Sequence, residues 1–357
     1  MDLQQVYKGK KVFVTGHTGF KGSWLITWLH KLGAVIKGYA LSPENDNDLY
    51  FAINGDELCE SIIADIRDKE KLKNEIISFQ PDFIFHMAAQ PLVRLSYETP
   101  ADTFEINSQG TCNILDALRF LKNPCIAVMI TTDKVYQNKE LDYYYHEDDR
   151  LGGHDPYSAS KACAELIISS YRNSFFNSRH YSEHRKSVSV ARAGNVIGGG
   201  DWAKDRIIPD IIKALSAGNP VVVRNPSSVC PWQHVLEPLH GYLVLGAHQA
   251  NDPVKFSDAY NFGPYKDDSL TVGDLVERAV EVWGNGKYLN DVKKDQLHEA
   301  GLLQLDITKA LSDLQWKPIL NTLQAIRLTI DWYHSKMVNK EDARSLILSD
   351  INKLMQK

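Results

Sequence analysis

Short apolar runs alternate with amphipathic stretches through the first half of the 357-residue chain. The run Val12-Phe13-Val14-Thr15 leads through Gly16-His17-Thr18-Gly19-Phe20-Lys21-Gly22 into Trp24, Leu25, Trp28, Leu29 and Leu32, which recur at helical spacing. Beyond them the pattern predicts strands over 34–40, 61–64, 82–86, 125–131 and 188–192, with helices over 68–79, 95–121 and 156–176. The run at 125–131, CIAVMIT, has no polar face, as expected of a central parallel strand covered on both sides.

That alternation predicts an α/β fold: a doubly wound, mostly parallel Rossmann-type sheet with ligands at the carboxyl ends of its strands. From Gly194 the regularity is lost. A loop at 198–202 precedes a helix over 207–216, a strand over 221–223, and helices over 239–250, 271–283 and 320–333. The expected organisation is a dinucleotide-binding domain over 1–193, to which 232–263 returns, and a smaller C-terminal α/β substrate lobe from 194–231 and 264–335. Residues 336–357 are polar enough for a peripheral helix or a frayed tail.

The glycines after the first strand give that prediction a ligand. One permits a tight turn, one a close approach of backbone to a pyrophosphate, one close helix packing, and free N–H groups at the helix start can hold the anion. The spacing here is G-x-x-G-x-x-G.

Composition narrows the function classes. The net charge of −5 gives no general attraction to nucleic acid or an anionic membrane, so an anionic substrate must be held by local Arg, Lys and helix N-termini. The start, MDLQQVYKGK, lacks the apolar centre of a signal peptide, and no apolar run approaches the roughly 18 residues of a membrane span. A cytoplasmic location is expected. The five cysteines, Cys59, Cys112, Cys125, Cys163 and Cys230, form no C-x-x-C pair and read as reduced thiols; no metal site is predicted.

Asp155-Pro156 marks a helix start, after which Tyr157 and Lys161 stand at i and i+4 on one face. Using a phenol with an ordinary pKa near ~10 as a base at neutral pH means stabilising its anion by roughly 4 kcal/mol, which a neighbouring ammonium and an oxidised nicotinamide could do. Lys161 can also reach a cofactor ribose. Thr132, at the end of the fifth strand, can share a substrate alcohol's proton with Tyr157. Asp133 and Lys134 follow it, and a second acid/base pair there suits an enzyme that also eliminates water.

Taken with His86-Met87-Ala88-Ala89-Gln90 and Arg192-Ala193-Gly194-Asn195-Val196, these motifs resemble the extended short-chain dehydrogenase/reductase superfamily, and within it the nucleotide-sugar 4,6-dehydratases. The resemblance runs over 10–333. Lys134, where most of that group carries Glu, makes the chain most similar to the members that act on CDP-glucose. The resemblance implies a nucleotide-diphosphate sugar substrate, bound NAD and a homodimer built on the helices of 95–121 and 156–176.

The resemblance also implies roles. Tyr157 and Thr132 take the 4-hydroxyl proton as hydride leaves C4, Lys134 takes the C5 proton with its pKa lowered by Lys161 and nicotinamide, and Asp133 protonates O6 before hydride returns to C6. Gly16, Thr18, Gly19, Phe20, Lys21, Gly22, Asp65, Ile66, Ala88, Ala89 and Gln90 would join Tyr157 and Lys161 around NAD, Asp65 taking the adenine amine. Asn195 and the candidate arginines Arg94, Arg206 and Arg224 would hold the diphosphate or sugar, since guanidinium forks match phosphate oxygens. His234 reads as structural.

Two departures stand out. Cys230 replaces the arginine that family members carry before Pro231-Trp232-Gln233-His234-Val235, so another residue such as Arg224 would have to compensate. No acid ends the second strand, where Gly38-Tyr39-Ala40-Leu41-Ser42-Pro43 stands, yet no Arg or Lys occurs between Lys37 and Arg67, which favours NAD over a 2′-phosphorylated cofactor. The rival readings are a 4,6-dehydratase of another nucleotide sugar, a 4-epimerase of the same superfamily, which needs no Asp133–Lys134 pair, and an idle NAD-binding regulator.

Overall fold

Seven strands form the central sheet of the computed structural model, which describes residues 1–223, 225–290 and 302–357. They are β1 (Lys11–Thr15), β2 (Val35–Ala40), β3 (Glu60–Ile63), β4 (Phe83–His86), β5 (Cys125–Ile130), β6 (Lys186–Ala193) and β7 (Ala259–Phe262). Across the sheet they run β7-β6-β5-β4-β1-β2-β3, every pairing parallel. Strand order reverses between β1 and β4, which opens a crevice beyond their carboxyl ends.

Both faces are apolar because both are covered. Val12 and Val14 of β1 and Phe83 and Phe85 of β4 face one core; Phe13 and Ile84, the residues between them, face the other. Helices α1 (Phe20–Lys31), α2 (Lys69–Phe79), α3 (Val93–Glu98), α4 (Pro100–Phe104), α5 (Gly110–Leu118) and α6 (Pro156–Ser174) supply the covering surfaces in this half of the chain.

The periodicity over 95–121 predicts one helix, and the structure breaks it twice. Thr99 stands before Pro100 and leaves the helical region. A single π turn, Glu105–Gln109, then separates α4 from α5 and presents Asn107 sideways. Its Oδ1 accepts from the Gln90 N–H at 2.9 Å, and its Nδ2 donates to Ser160 Oγ of α6 at 2.9 Å.

The later half contributes α7 (Ile207–Ser216), α8 (Leu236–Asn251), α9 (Val272–Trp283) and α10 (Thr322–Met337). Thr271 and Asp274 cap α9 reciprocally, and Asn321 and Gln324 do the same for α10. Leu239, Leu243 and Tyr242 of α8 join the core on one face of the sheet, the helix packing mainly on β5 and β6, and β7 then joins the sheet beside β6. At four residues between Asp258 and Gly263, β7 is too short to show a period, and the sequence pattern predicts no strand there.

Of the two alternatives for 336–357, a peripheral helix or a frayed tail, the structure has the helix over most of the segment. Helix α11 (Ala343–Met355) is capped by Asp342 and buries Ala343, Ile347, Ile351 and Leu354. It packs on α1, and Arg344 donates to the Ile53 carbonyl at 2.8 Å while pairing with Glu57. No described helix is long and apolar enough to cross a membrane.

Candidate active site

The crevice is floored by the loop between β1 and α1. Gly16 turns at φ +74°, and a Cβ there would come within 2.8 Å of the Ala88 nitrogen, so the loop can lie against the β4 end only without a side chain. A Cβ on Gly22 would meet the Gly16 carbonyl oxygen at 2.1 Å. Around Gly19 the space is open apart from that same oxygen at 3.5 Å. Gly19 caps α1 without a side-chain hydrogen bond, which leaves the helix start facing the crevice. Thr18 and Phe20 share the loop; Thr18 Oγ1 donates to the Leu41 carbonyl at 2.9 Å.

At the ends of β5 and β6 the second cluster assembles. Asp155 caps α6, accepting from the Ser158 N–H at 2.9 Å, and aims Tyr157 and Lys161 inward; both are buried. Thr132 Oγ1 donates to Asp133 Oδ1 at 2.9 Å and hydrogen-bonds Tyr157. Lys134 Nζ lies 3.6 Å from Asp133 Oδ1 and 3.4 Å from the Asn195 side-chain oxygen. The five residues predicted for catalysis and Asn195 thus occupy one place.

Electrostatics follow from burial. Desolvation raises the Tyr157 phenol above its ordinary value, opposed by the Lys134 charge, the Thr132 hydrogen bond and Arg206. The same effect lowers Lys161 to about 8 against the pull of Glu165. Lys21, half-buried beneath the loop, is lowered to about 7 by desolvation and by its cationic neighbours Arg206, Lys161 and Lys134, with Asp133 opposing. Four basic side chains gathered near Asp133 make a pocket that favours a multiply charged anion.

Two of the three candidate arginines line the rim. Arg206 pairs with buried Asp201 at 2.8 Å and carries its charge toward Tyr157. Arg94, on α3, pairs with Asp205 of the same loop at 3.1 Å. The base of that loop is anchored by Trp24 Nε1, which donates to the Gly199 carbonyl at 3.0 Å, and by the Tyr333 hydroxyl, which donates to the Asp201 carbonyl at 2.6 Å. Arg224 lies outside the described residues.

Other candidates have partners within the chain. Gln90 uses its amide on Thr103 and its own loop, donating to Thr103 Oγ1 at 3.0 Å and to the Leu92 carbonyl at 3.1 Å. The Asp65 carboxylate is clamped by Arg67, with Nη2 to Oδ2 at 2.7 Å, and this holds it below the usual carboxylate range. Ile66 packs against Gly110, and its carbonyl accepts from Asn113 Nδ2 at 3.0 Å. Ala88 donates its N–H to Thr15 Oγ1 at 3.1 Å, and Ala89 follows it on the crevice side of β4.

Sequence reasoning passed over His17. Its ring is fully buried against Gly38, where a Cβ would lie 2.3 Å from it, and Nε2 shares a hydrogen bond with Ser61 Oγ at 2.8 Å. Burial lowers its pKa to about 4, so the ring is neutral. The signal was a histidine inside the glycine loop opposite a glycine in the next strand. His234 is buried edge-on against Trp24, in keeping with a structural histidine.

Comparison with known proteins agrees with this geometry. A CDP-glucose 4,6-dehydratase from Salmonella typhimurium is 48% identical over 337 residues, covering 94% of this chain and 93% of that protein. A dTDP-glucose 4,6-dehydratase from Streptomyces griseus is 27% identical, covering 90% and 94%. Among solved structures, UDP-glucose 4-epimerase from Thermotoga maritima shares the fold at a TM-score of 0.77 and 19% identity, covering 92% of this chain and 99% of its own. A dTDP-glucose 4,6-dehydratase from Streptomyces venezuelae, with NAD bound, does so at 0.76 and 20%, covering 94% and 99%. The model of the GDP-mannose 4,6 dehydratase family matches residues 13–329, from within β1 into α10, and to that family the chain belongs.

Proposed function

We propose that the protein is an NAD-dependent CDP-glucose 4,6-dehydratase, a hydro-lyase that converts CDP-glucose to CDP-4-keto-6-deoxyglucose. The observation that carries this reading is the second acid/base pair: Asp133 and Lys134 stand beside Thr132 and Tyr157, where oxidation alone would leave them idle. The 48% identical relative supports the choice of nucleotide.

The crevice fits a dinucleotide. The left-handed Gly16, the open side of Gly19 and the uncapped start of α1 offer backbone N–H groups to a pyrophosphate, with Thr18, Phe20, Lys21 and Gly22 around it. Lys161 is the candidate partner of the nicotinamide ribose. Bound NAD supplies an acceptor that takes hydride from the sugar and returns it within one turnover.

The chain's own groups handle the protons. Tyr157, raised by burial, becomes a base when a positive ring adds to the charges of Lys134 and Arg206. With Thr132 it takes the proton of the 4-hydroxyl; the ketone at C4 then acidifies the neighbouring C–H. With the one proton of the Lys134–Asp133 pair on Asp133, Lys134 as the free amine removes the C5 proton and Asp133 protonates O6 as it leaves as water, which returns the pair to its starting charge. Asn195, holding Lys134 at 3.4 Å, aims the amine and contacts the sugar or diphosphate. Arg206 and Arg94 neutralise the diphosphate, and Arg224 is a third candidate for it.

Incubation with a panel of CDP-, UDP-, GDP- and dTDP-glucose tests the proposal, the expected product being lighter than CDP-glucose by one water. A product of unchanged mass would make the enzyme an epimerase, and preference for another nucleotide would move the substrate. We further place the enzyme in the cytoplasm as a homodimer through the helices of α3–α6, in the formation of deoxysugars for lipopolysaccharide O-antigen; a monomer in light scattering would remove the dimer.

A further inference from the structure

Behind the catalytic side chains lies a buried ion pair that the chemistry above does not use. Glu165 stands one turn beyond Lys161 on α6 and Arg192 lies on β6, and both are buried. Glu165 Oε1 accepts from Arg192 Nε at 2.8 Å and from Thr131 Oγ1 at 2.6 Å, while Oε2 accepts from Arg192 Nη2 at 2.9 Å. Arg192 Nη1 donates onward to the Tyr136 hydroxyl at 2.7 Å and the Glu147 carbonyl at 2.8 Å. Tyr136 donates to Asn261 Oδ1 of β7 at 2.7 Å.

The connections have a common geometry. Thr131 immediately precedes Thr132, Tyr136 closes the turn that carries Asp133 and Lys134, Arg192 lies three residues before Asn195, and Glu165 shares a helix face with Tyr157 and Lys161. Each backbone segment that carries a candidate catalytic group is therefore tied, from the side away from the crevice, to one carboxylate–guanidinium fork. A salt bridge required only for stability could be replaced by apolar residues. A fork that joins these four segments sets their spacing.

We infer that Glu165, held by Arg192, is a positioning residue for the dehydration, fixing Thr132 relative to Tyr157 and supplying the anionic neighbour of the Lys161 amine. The inference rests on the proposed function for its kinetic half only. The other groups facing Lys161 do not substitute for that charge. Tyr157 is a protonated phenol, His86 of β4 is held neutral with a pKa lowered to about 3, and Lys21 of α1, lowered to about 7, can bring only positive charge; Asp133 and Lys134, in the turn after β5, offset one another, and Arg192 stands behind Glu165. Desolvation lowers Lys161, and Glu165 is the charge that raises it.

Three variants separate placement from charge. Glu165→Gln removes the charge and keeps the length; kcat should fall roughly a hundredfold with KM within about twofold, because a misplacement of about 1 Å has that effect. The alkaline limb of kcat/KM should move down by about one pH unit as the amine loses its proton earlier. Glu165→Asp should restore the limb and leave kcat depressed. Thr131→Val cuts only the Thr131 tie, so kcat should fall about tenfold with the limb unmoved.

A measurement independent of substrate completes the test: in the ligand-free protein the Lys161 side-chain carbon resonance, assigned with Lys161→Arg, should titrate about one unit lower in Glu165→Gln. An unchanged titration overturns the electrostatic half even if no nucleotide sugar is turned over, whereas failure of the proposed function alone leaves the titration shifted. Wild-type kcat in Thr131→Val overturns the positioning half, and decides it should Glu165→Gln not fold.

Discussion

The back wall of the candidate site and its rim are built from the same residue types with opposite consequences. At the back, Arg192 and Glu165 form a bidentate pair of buried groups, each with further hydrogen bonds to Tyr136, Glu147 or Thr131. At the rim, Arg94 and Arg206 are partly exposed, each is ion-paired with an aspartate of the 201–206 loop, and Asp205 sits at φ +60°, a backbone region that residues other than glycine seldom adopt. Desolvated charges cannot be left without partners, so the back wall is rigid and buried Asp201 keeps Arg206, whereas the more exposed Arg94–Asp205 pair can be exchanged for another anion. The difference teaches where affinity and chemistry reside: a diphosphate entering the site can take the place of Asp205 on Arg94, while the reacting side chains need no rearrangement behind them.

That contrast can be tested from its strongest point downward. Tyr157→Phe keeps the ring packed and removes the hydroxyl, and kcat should fall by about a thousandfold or more in a turnover assay with little change in KM. Lys134→Met should lower kcat by about a hundredfold and stop exchange of the C5 hydrogen with solvent, read by mass spectrometry in deuterium oxide. Retained exchange would take the base role away from Lys134.

The rim should respond in KM. Arg206→Ala removes a charge-assisted contact and one of the charges that favour the Tyr157 phenolate, so KM should rise about tenfold or more with a smaller fall in kcat. Arg94→Ala, whose partner is more exposed, should raise it by less, and Asp205→Ala should lower KM slightly because one competing anion is removed. If Arg94 and Arg206 variants lose kcat and leave KM alone, rim and wall are not the separate devices drawn here.

The smallest effect comes from a buried carboxylate that, among the described residues, has no guanidinium partner. Glu237 accepts from the N–H groups of Ile319 and Leu320, and burial raises its pKa from 4.5 to about 7. A carboxyl whose folded pKa lies above its unfolded one contributes stability at low pH that is lost as pH rises between those values. Thermal midpoints of Glu237→Gln and the parent should therefore diverge between pH 4.5 and 7, the variant gaining about 3 °C at the upper end. Parallel curves would mean the carboxyl ionises freely in the fold.

Much of this was readable in the chain because local chemistry and global fold agree there. A β-branched run, a glycine loop and an amphipathic helix can only follow one another in one way, and Tyr157 and Lys161 share a face by helical spacing alone. The illegible parts depend on partners distant in sequence. Nothing near Asn107 announces that a π turn will swing it onto the Gln90 backbone, and nothing near Gln90 says that its side-chain amide will meet Thr103. Arg94 reads as a free cation until Asp205, 111 residues away, is seen beside it. Glu165 was legible only as a residue one turn past Lys161; its significance comes from a strand not yet written when the helix ends.

The seating of α11 on α1 bears on how the molecule is made. The glycine loop and its tryptophan-bearing helix leave the ribosome early, yet Arg344 reaches the Ile53 carbonyl across a sequence separation of 291 residues, and Ile347, Ile351 and Leu354 belong to the same core as Trp24 and Trp28. Until translation has passed Leu354, one side of that helix stays unclothed, and a nascent chain stalled before then would offer its indoles to chaperones instead of a finished nucleotide cleft.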